Sequence, residues 1–142
     1  MGLETIITFA SAATATLVGV IAVLIKIPKR LKPNYFVHHW KQLQSFCKEK
    51  EQWPHALSQA DALLDKALKK RKFKGKTMGE RMVSAQRTFT DNDGAWFAHN
   101  LYKKVTADPD FKLREADVKD ALMGFRQALR DMGALPNESN NK

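Results

Sequence analysis

One cysteine in 142 residues, Cys47, excludes an internal disulfide and has no partner at metal-ligand spacing; a reducing compartment is its natural setting. No CxxC pair, HExxH motif or Gly-rich phosphate loop occurs, so no thiol redox centre, zinc hydrolase or phosphate cradle can be read from the chain. Acids are scarce. Fifteen Asp and Glu against 24 Lys and Arg give a formal charge of +9, which points to an anionic partner: nucleic acid, anionic lipid or an acidic protein. Internal repeats and low-complexity tracts are missing, and from residue 34 onward there is no period-two alternation of the kind a strand needs. A chain of this length holds one ordinary domain, or a membrane segment plus one small domain.

What is present begins with an apolar run. Thr5 to Ile25, "TIITFASAATATLVGVIAVLI", passes 21 positions without a charge or a proline. At about 1.5 Å rise per residue such a run crosses a hydrocarbon core of roughly 30 Å, and a single transmembrane anchor over residues 1–26 is expected. A secretory signal peptide would need a positive flank before the run and a small-residue site after it; here the flank carries Glu4, and "ASA" comes early. Lys26, Lys29, Arg30 and Lys32 follow, and no acid appears before Glu49. Basic flanks stay on the cytoplasmic side, so the expectation is a cell-membrane protein with its N-terminus outside and its body cytoplasmic. The same cations would meet the lipid bilayer's anionic headgroups. "IPKRLKP", residues 27–33, reads as a short basic hinge.

Residues 34–135 carry the helical period repeatedly, predicting an all-α, four- to five-helix up-and-down bundle. Phe36, Trp40, Leu43 and Cys47 share one face of a first helix opened by Pro33 and Asn34. A second starts near Pro54 and buries Ala56, Ala60, Leu63, Leu64, Ala67 and Leu68. "TMGE" supplies a capping box, Thr77 with Glu80, for a third whose stripe runs Met78, Met82, Ala85, Phe89. Asp91 or Asp93 caps a fourth, with Trp96 or Phe97, Leu101 and Val105 inward, and Pro109 ends it through its effect on Asp108. The last runs from about Arg114 to Met132, with Val118, Leu122, Phe125, Leu129 and Met132 at helical spacing and Gly133 as the terminating residue. Residues 136–142 read as a disordered polar tail.

Candidates for chemistry are few. His38 and His39 are adjacent, so on a helix they diverge by about 100° and cannot clasp one ion; no metal or cofactor is expected. His55 reads as a structural residue at a helix start. The most polar feature is a basic run: Lys66, Lys69, Lys70, Arg71, Lys72, Lys74 and Lys76 place seven cations in eleven residues without an acid. It reads either as an edge that contacts phosphate or lipid headgroups, or as a solvated helix end whose cations complement the helix dipole. The run by itself offers no aromatic platform for bases.

"HHWKQLQ", "QADALLDKALKKRKFKGKTMGERMVSAQRTF", "WFAHNLYKKV" and "EADVKDALMGFRQALRDMGAL" resemble a group of small, often membrane-anchored helical proteins of unknown function. Their bundle is similar to the HEPN superfamily, the "higher eukaryotes and prokaryotes nucleotide-binding" domains. The resemblance covers about 100 of the 142 residues. HEPN ribonucleases use an arginine four to six residues before a histidine. Carried onto this chain, the arginine falls on Tyr102, the histidine on Ala107, and a second arginine of the pattern on Lys104. The resemblance therefore implies a bundle without its catalytic pair, with Lys103 and Lys104 left as phosphate contacts and His99 as a structural residue bonded to a neighbouring helix. It also implies pairing of two copies through their helices.

The expected function is a non-enzymatic, membrane-tethered helical interaction module for a protein partner or a second copy. Nucleic-acid binding through residues 66–76 and Lys103/Lys104 is the alternative. A residual ribonuclease stands last, because the proton-transfer group is missing.

Overall fold

A computed structural model describes residues 31–137. They form five α-helices with no strand among the described residues: α1 Pro33–Ser45, α2 Trp53–Lys70, α3 Met78–Ser84, α4 Asn92–Ala107 and α5 Glu115–Asp131. Single 3-10 turns, Phe46–Lys48 and Lys50–Gln52, carry α1 into α2.

The apolar spacing explains the packing. α2 buries Ala56, Leu57, Ala60, Leu63, Leu64, Ala67 and Leu68, at steps of one, three and four residues, which makes a stripe broad enough to touch several neighbours. It packs on α1, α3, α4 and α5, and so forms the centre of the bundle. Phe36 and Leu43 from α1, Met82 from α3, and Phe125 and Leu129 from α5 close the core around it. Burying each such side chain is worth about 1.5–3 kcal/mol.

Helix ends are set by local chemistry. Thr77 Oγ1 accepts from the Glu80 amide at 3.2 Å while Glu80 Oε2 accepts from the Thr77 amide at 3.3 Å, the reciprocal capping box expected from "TMGE". Asp91 caps α4 by accepting from the Gly94 amide at 2.9 Å. Asp108, ahead of Pro109, is extended and ends α4. Gly133, at φ +77°, terminates α5: its amide donates to the Arg130 carbonyl and the Ala134 amide to that of Leu129, both at 2.9 Å. α2 ends on the same pattern, with Lys72 at φ +64° in the place of glycine and the Phe73 amide on the Leu68 carbonyl at 3.1 Å.

α4 and α5 form an antiparallel hairpin. The Thr90 amide, just before α4, donates to Asp131 at the end of α5 at 2.8 Å. Gly124 meets the Gly94 backbone so closely that a Cβ on Gly124 would collide with the Gly94 carbonyl. α1 and α2 are antiparallel as well, since Tyr35 at the start of α1 lies by Lys66 and Lys70 while Phe46 packs on His55 at 4.4 Å between ring centroids.

Several expectations need correction. The fold class was expected to combine a transmembrane helix with a bundle; the structure supports the all-α bundle alone. No helix among the described residues is long and apolar enough to cross a membrane. The physical reason lies in their amphipathic pattern: α2, 18 residues long, still carries Asp61, Asp65, Lys66, Lys69 and Lys70. The run from Thr5 to Ile25, with Lys26, Lys29 and Arg30, lies outside the described residues. Lys32 is described, exposed, at the N-cap of α1.

Smaller departures are local. α1 stops at Ser45, so Cys47 sits in a 3-10 turn, where its thiol donates to the Leu43 carbonyl at 3.6 Å. α3 stops at Ser84 and turns carry the chain on, yet Ala85 and Phe89 still reach the core. On α4 the buried positions are Ala95, Ala98, His99 and Leu101; Trp96 is half-buried and Phe97 exposed. Residues 138–142 of the polar tail lie outside the described residues.

Candidate anion-binding edge

The seven cations of the 66–76 run do not form one stripe. Lys66 and Lys70, four residues apart on α2, share a face and converge on α1: the Lys66 ammonium stands 4.0 Å from the centroid of the Tyr35 ring and the Lys70 ammonium 5.7 Å. Lys69 turns away and pairs with Asp65 at 3.0 Å. Arg71 is committed to the fold, donating to the Met132 carbonyl at 2.8 Å and lying 5.8 Å from the Phe73 ring, so that it binds the end of α2 to the end of α5. Lys72, Lys74 and Lys76 extend along the exposed connection to α3.

Lys103 and Lys104 are exposed but belong to the other end of the bundle. α4 runs antiparallel to α5, whose end is tied to the end of α2, and mid-helix His99 meets mid-helix Asp61. Moving toward Lys104 on α4 therefore moves away from Lys66 on α2. At about 1.5 Å per residue on each helix the two sets lie more than about 12 Å apart along the bundle.

The edge has aromatic members that the run of lysines did not disclose. The imidazole of His39, one turn after Tyr35, lies 4.0 Å from that ring at an angle of 31°, and its Nδ1 donates to the Tyr35 carbonyl at 2.8 Å. Tyr35, His39, Gln59, Ala62, Leu63 and Lys66 line a cavity of about 140 Å³. His39 and Gln59 also line the next cavity, about 270 Å³, which continues along the α1–α2 seam past Gln42 and Ser45 to Phe46 and His55. The seam thus joins four rings, Tyr35, His39, Phe46 and His55, to a cationic end. Such an arrangement can hold phosphate or carboxylate by charge and planar groups by stacking.

The positions expected to matter in α4 are occupied otherwise. His99 is buried, its Nδ1 2.7 Å from Asp61 Oδ1 on α2. Burial pushes the Asp61 carboxyl above its ordinary range, more than the hydrogen bond and charge of His99 lower it. One turn on, Asp65 accepts from Arg81 Nε at 2.7 Å; burial acts to raise this carboxyl too, but the hydrogen bonds from Arg81 and Lys69 outweigh it and hold the group below its usual range. Arg81 also donates to the Gly75 carbonyl at 2.9 Å. Tyr102 is half-buried, Lys104 and Ala107 exposed. Burial raises the Cys47 thiol, which suits an unreactive side chain. Among the described residues no group of three or more His, Cys, Asp or Glu can hold a metal ion.

No family model, curated protein or solved structure matches the chain.

Proposed function

We propose that this chain is a non-enzymatic helical interaction module that takes an anionic partner on its α1–α2 edge. The observation that carries the reading is the convergence of Lys66 and Lys70 on Tyr35, beside a cleft that runs along the seam. The non-enzymatic part draws support from His99, whose imidazole is engaged with Asp61 inside the bundle, and from Tyr102 and Ala107 standing where HEPN ribonucleases have their arginine and histidine.

A second reading, nucleic-acid binding, is favoured by the rings of the seam. Bases stacked on exposed aromatic surface would lie next to lysines able to meet phosphates. The test is binding of a single-stranded oligonucleotide and, separately, of a polyglutamate-rich peptide to the full-length chain over a salt series. An interaction module of this kind loses affinity steeply with salt and loses it again in the Lys66→Glu, Lys70→Glu double variant. Preference for the oligonucleotide selects the second reading. Retention of both ligands by the double variant removes the edge from the account, and RNA cleavage by the purified chain removes its non-enzymatic character.

A further inference from the structure

The α1–α2 seam carries its lysines at one end only. Lys66 and Lys70 stand by the Tyr35 ring, and Asp65, the acid beside them in sequence, is held by Lys69 and Arg81. An ammonium has three N–H donors, so contact with the ring leaves donors for an anion. Between His55 and Lys66, α2 contains no lysine or arginine, and α1 contains only Lys41, which lines neither seam cavity. Lys66 and His55 are eleven positions apart on one wall, Tyr35 and Phe46 eleven apart on the other. At about 1.5 Å per residue this stretch without lysine or arginine is about 16 Å long.

That distribution selects the ligand. Every nucleotide of a strand carries a phosphate, so a strand laid along the seam would leave all but its end phosphates without a lysine or arginine. A continuous run of glutamates fails in the same way. The ligand that fits has its negative charge at the Lys66/Lys70 end and a neutral body. The far end offers that body an apolar hold: buried Leu43 and half-buried Phe46 line the cavity of about 270 Å³ together with exposed His55. Clefts that enclose a drug-sized molecule measure about 300–1,000 Å³, so this smaller one suits a single side chain. Gln42 and Gln59, both exposed on its walls, each present an amide donor and acceptor, the two groups that an extended backbone offers in passing.

Resting on the reading of the α1–α2 edge as an anion-binding surface, we infer that its partner is an acidic peptide with one large apolar side chain about five residues from its acids. An extended peptide advances about 3.3 Å per residue, so five residues span the seam. The acids meet Lys66 and Lys70, the backbone passes Gln59, and the apolar side chain enters the cavity beside Phe46. Ion pairs at a surface contribute little by themselves, and burial of the apolar side chain supplies most of the affinity.

Fluorescence anisotropy with the full-length chain and labelled synthetic peptides tests it. The principal peptide carries two glutamates, a spacer of four Gly/Ser residues and a tryptophan, made in both chain directions. Companion peptides replace the tryptophan with alanine or shorten the spacer to one residue. In one of the two directions the tryptophan peptide should bind at least about tenfold more tightly than either companion. Gln59→Trp, on the exposed wall shared by the two cavities, should remove that difference. Equal affinity for all the peptides, with the Lys66→Glu, Lys70→Glu double variant still weakening them, overturns the anchored peptide and leaves the anion-binding edge standing. Affinity that the double variant leaves untouched overturns the edge itself. A tryptophan gain that survives the short spacer or Gln59→Trp overturns the register along the seam. Failure of every peptide to bind, or tighter binding of a single-stranded oligonucleotide than of the tryptophan peptide, overturns the peptide as the partner.

Discussion

Nδ1 of His99 lies 2.7 Å from Oδ1 of Asp61, which ties the middle of α4 to the middle of α2 inside the bundle. The pair replaces water for two polar groups that the helices would otherwise bury alone. His99→Ala leaves the carboxyl without its partner and should cost about 1–3 kcal/mol, read from the urea midpoint at constant m. An unchanged midpoint would mean the pair contributes nothing.

Asp61 also sets a pH dependence. Its folded pKa is raised above the ordinary 3.8, so between the two values the folded chain binds the extra proton. This contribution is fully present below about pH 3.8 and is lost as pH rises through the folded value. Asp61→Asn keeps an acceptor for His99 and removes the ionisation. Stability curves of the two proteins should diverge as pH rises through that window; parallel curves would show that Asp61 does not titrate there.

Asp65 has the opposite sign. Its folded pKa is lowered, so its contribution is present above about pH 3.8 and disappears as pH falls through the folded value. Arg81 is the deeper of its two partners, with a side chain 10% exposed against 60% for Lys69. Arg81→Met should cost about 2–4 kcal/mol near neutrality and flatten the acid limb, while Lys69→Met should cost less than about 1 kcal/mol. Equal effects of the two changes in denaturant titrations would contradict the geometry.

Two glycines, Gly124 on α5 and Gly79 on α3, should respond in opposite ways to one methyl group. Gly124→Ala drives a Cβ into the Gly94 carbonyl and should destabilise by about 1–3 kcal/mol. At Gly79 the added Cβ meets the Trp96 ring at 3.7 Å, an ordinary contact, so Gly79→Ala should be neutral or stabilise by up to about 1 kcal/mol through helix propensity. Thermal melts of the two variants settle the contrast.

Lys72 terminates α2 at φ +64°, where an L side chain is strained and glycine is not. Lys72→Gly should stabilise the bundle by about 0.5–1 kcal/mol after the added freedom of the unfolded chain is subtracted. A lower melting temperature would show that the Lys72 side chain contributes something in the folded state that its backbone strain conceals.

The Tyr35 edge was half legible. The basic run is visible in the sequence, but the ring that Lys66 covers comes from another helix. A signal was there: α1 and α2 are joined by a short connection, so they fold back antiparallel, and residues equidistant from the turn face each other. Tyr35 with Lys66 and Phe46 with His55 obey that rule, each pair centred between residues 50 and 51. Rotation of each helix about its axis then decides that Lys66 and Lys70 turn toward the ring while Lys69 turns toward Asp65.

Local rules carried as far as local forces reach. The capping box at Thr77 and Glu80, the stop before Pro109, the turn at Gly133 and the stripes of α2 and α5 follow from backbone hydrogen bonds and side-chain spacing within one or two turns, and the sequence alone determined them. The partnership of Asp61 with His99, the contact of Gly94 with Gly124 and the exposure of Phe97 in place of Trp96 were decided only by tertiary structure. Each depends on how far one helix is rotated against another, a quantity set by packing the whole core at once, to which no short stretch of chain holds the answer.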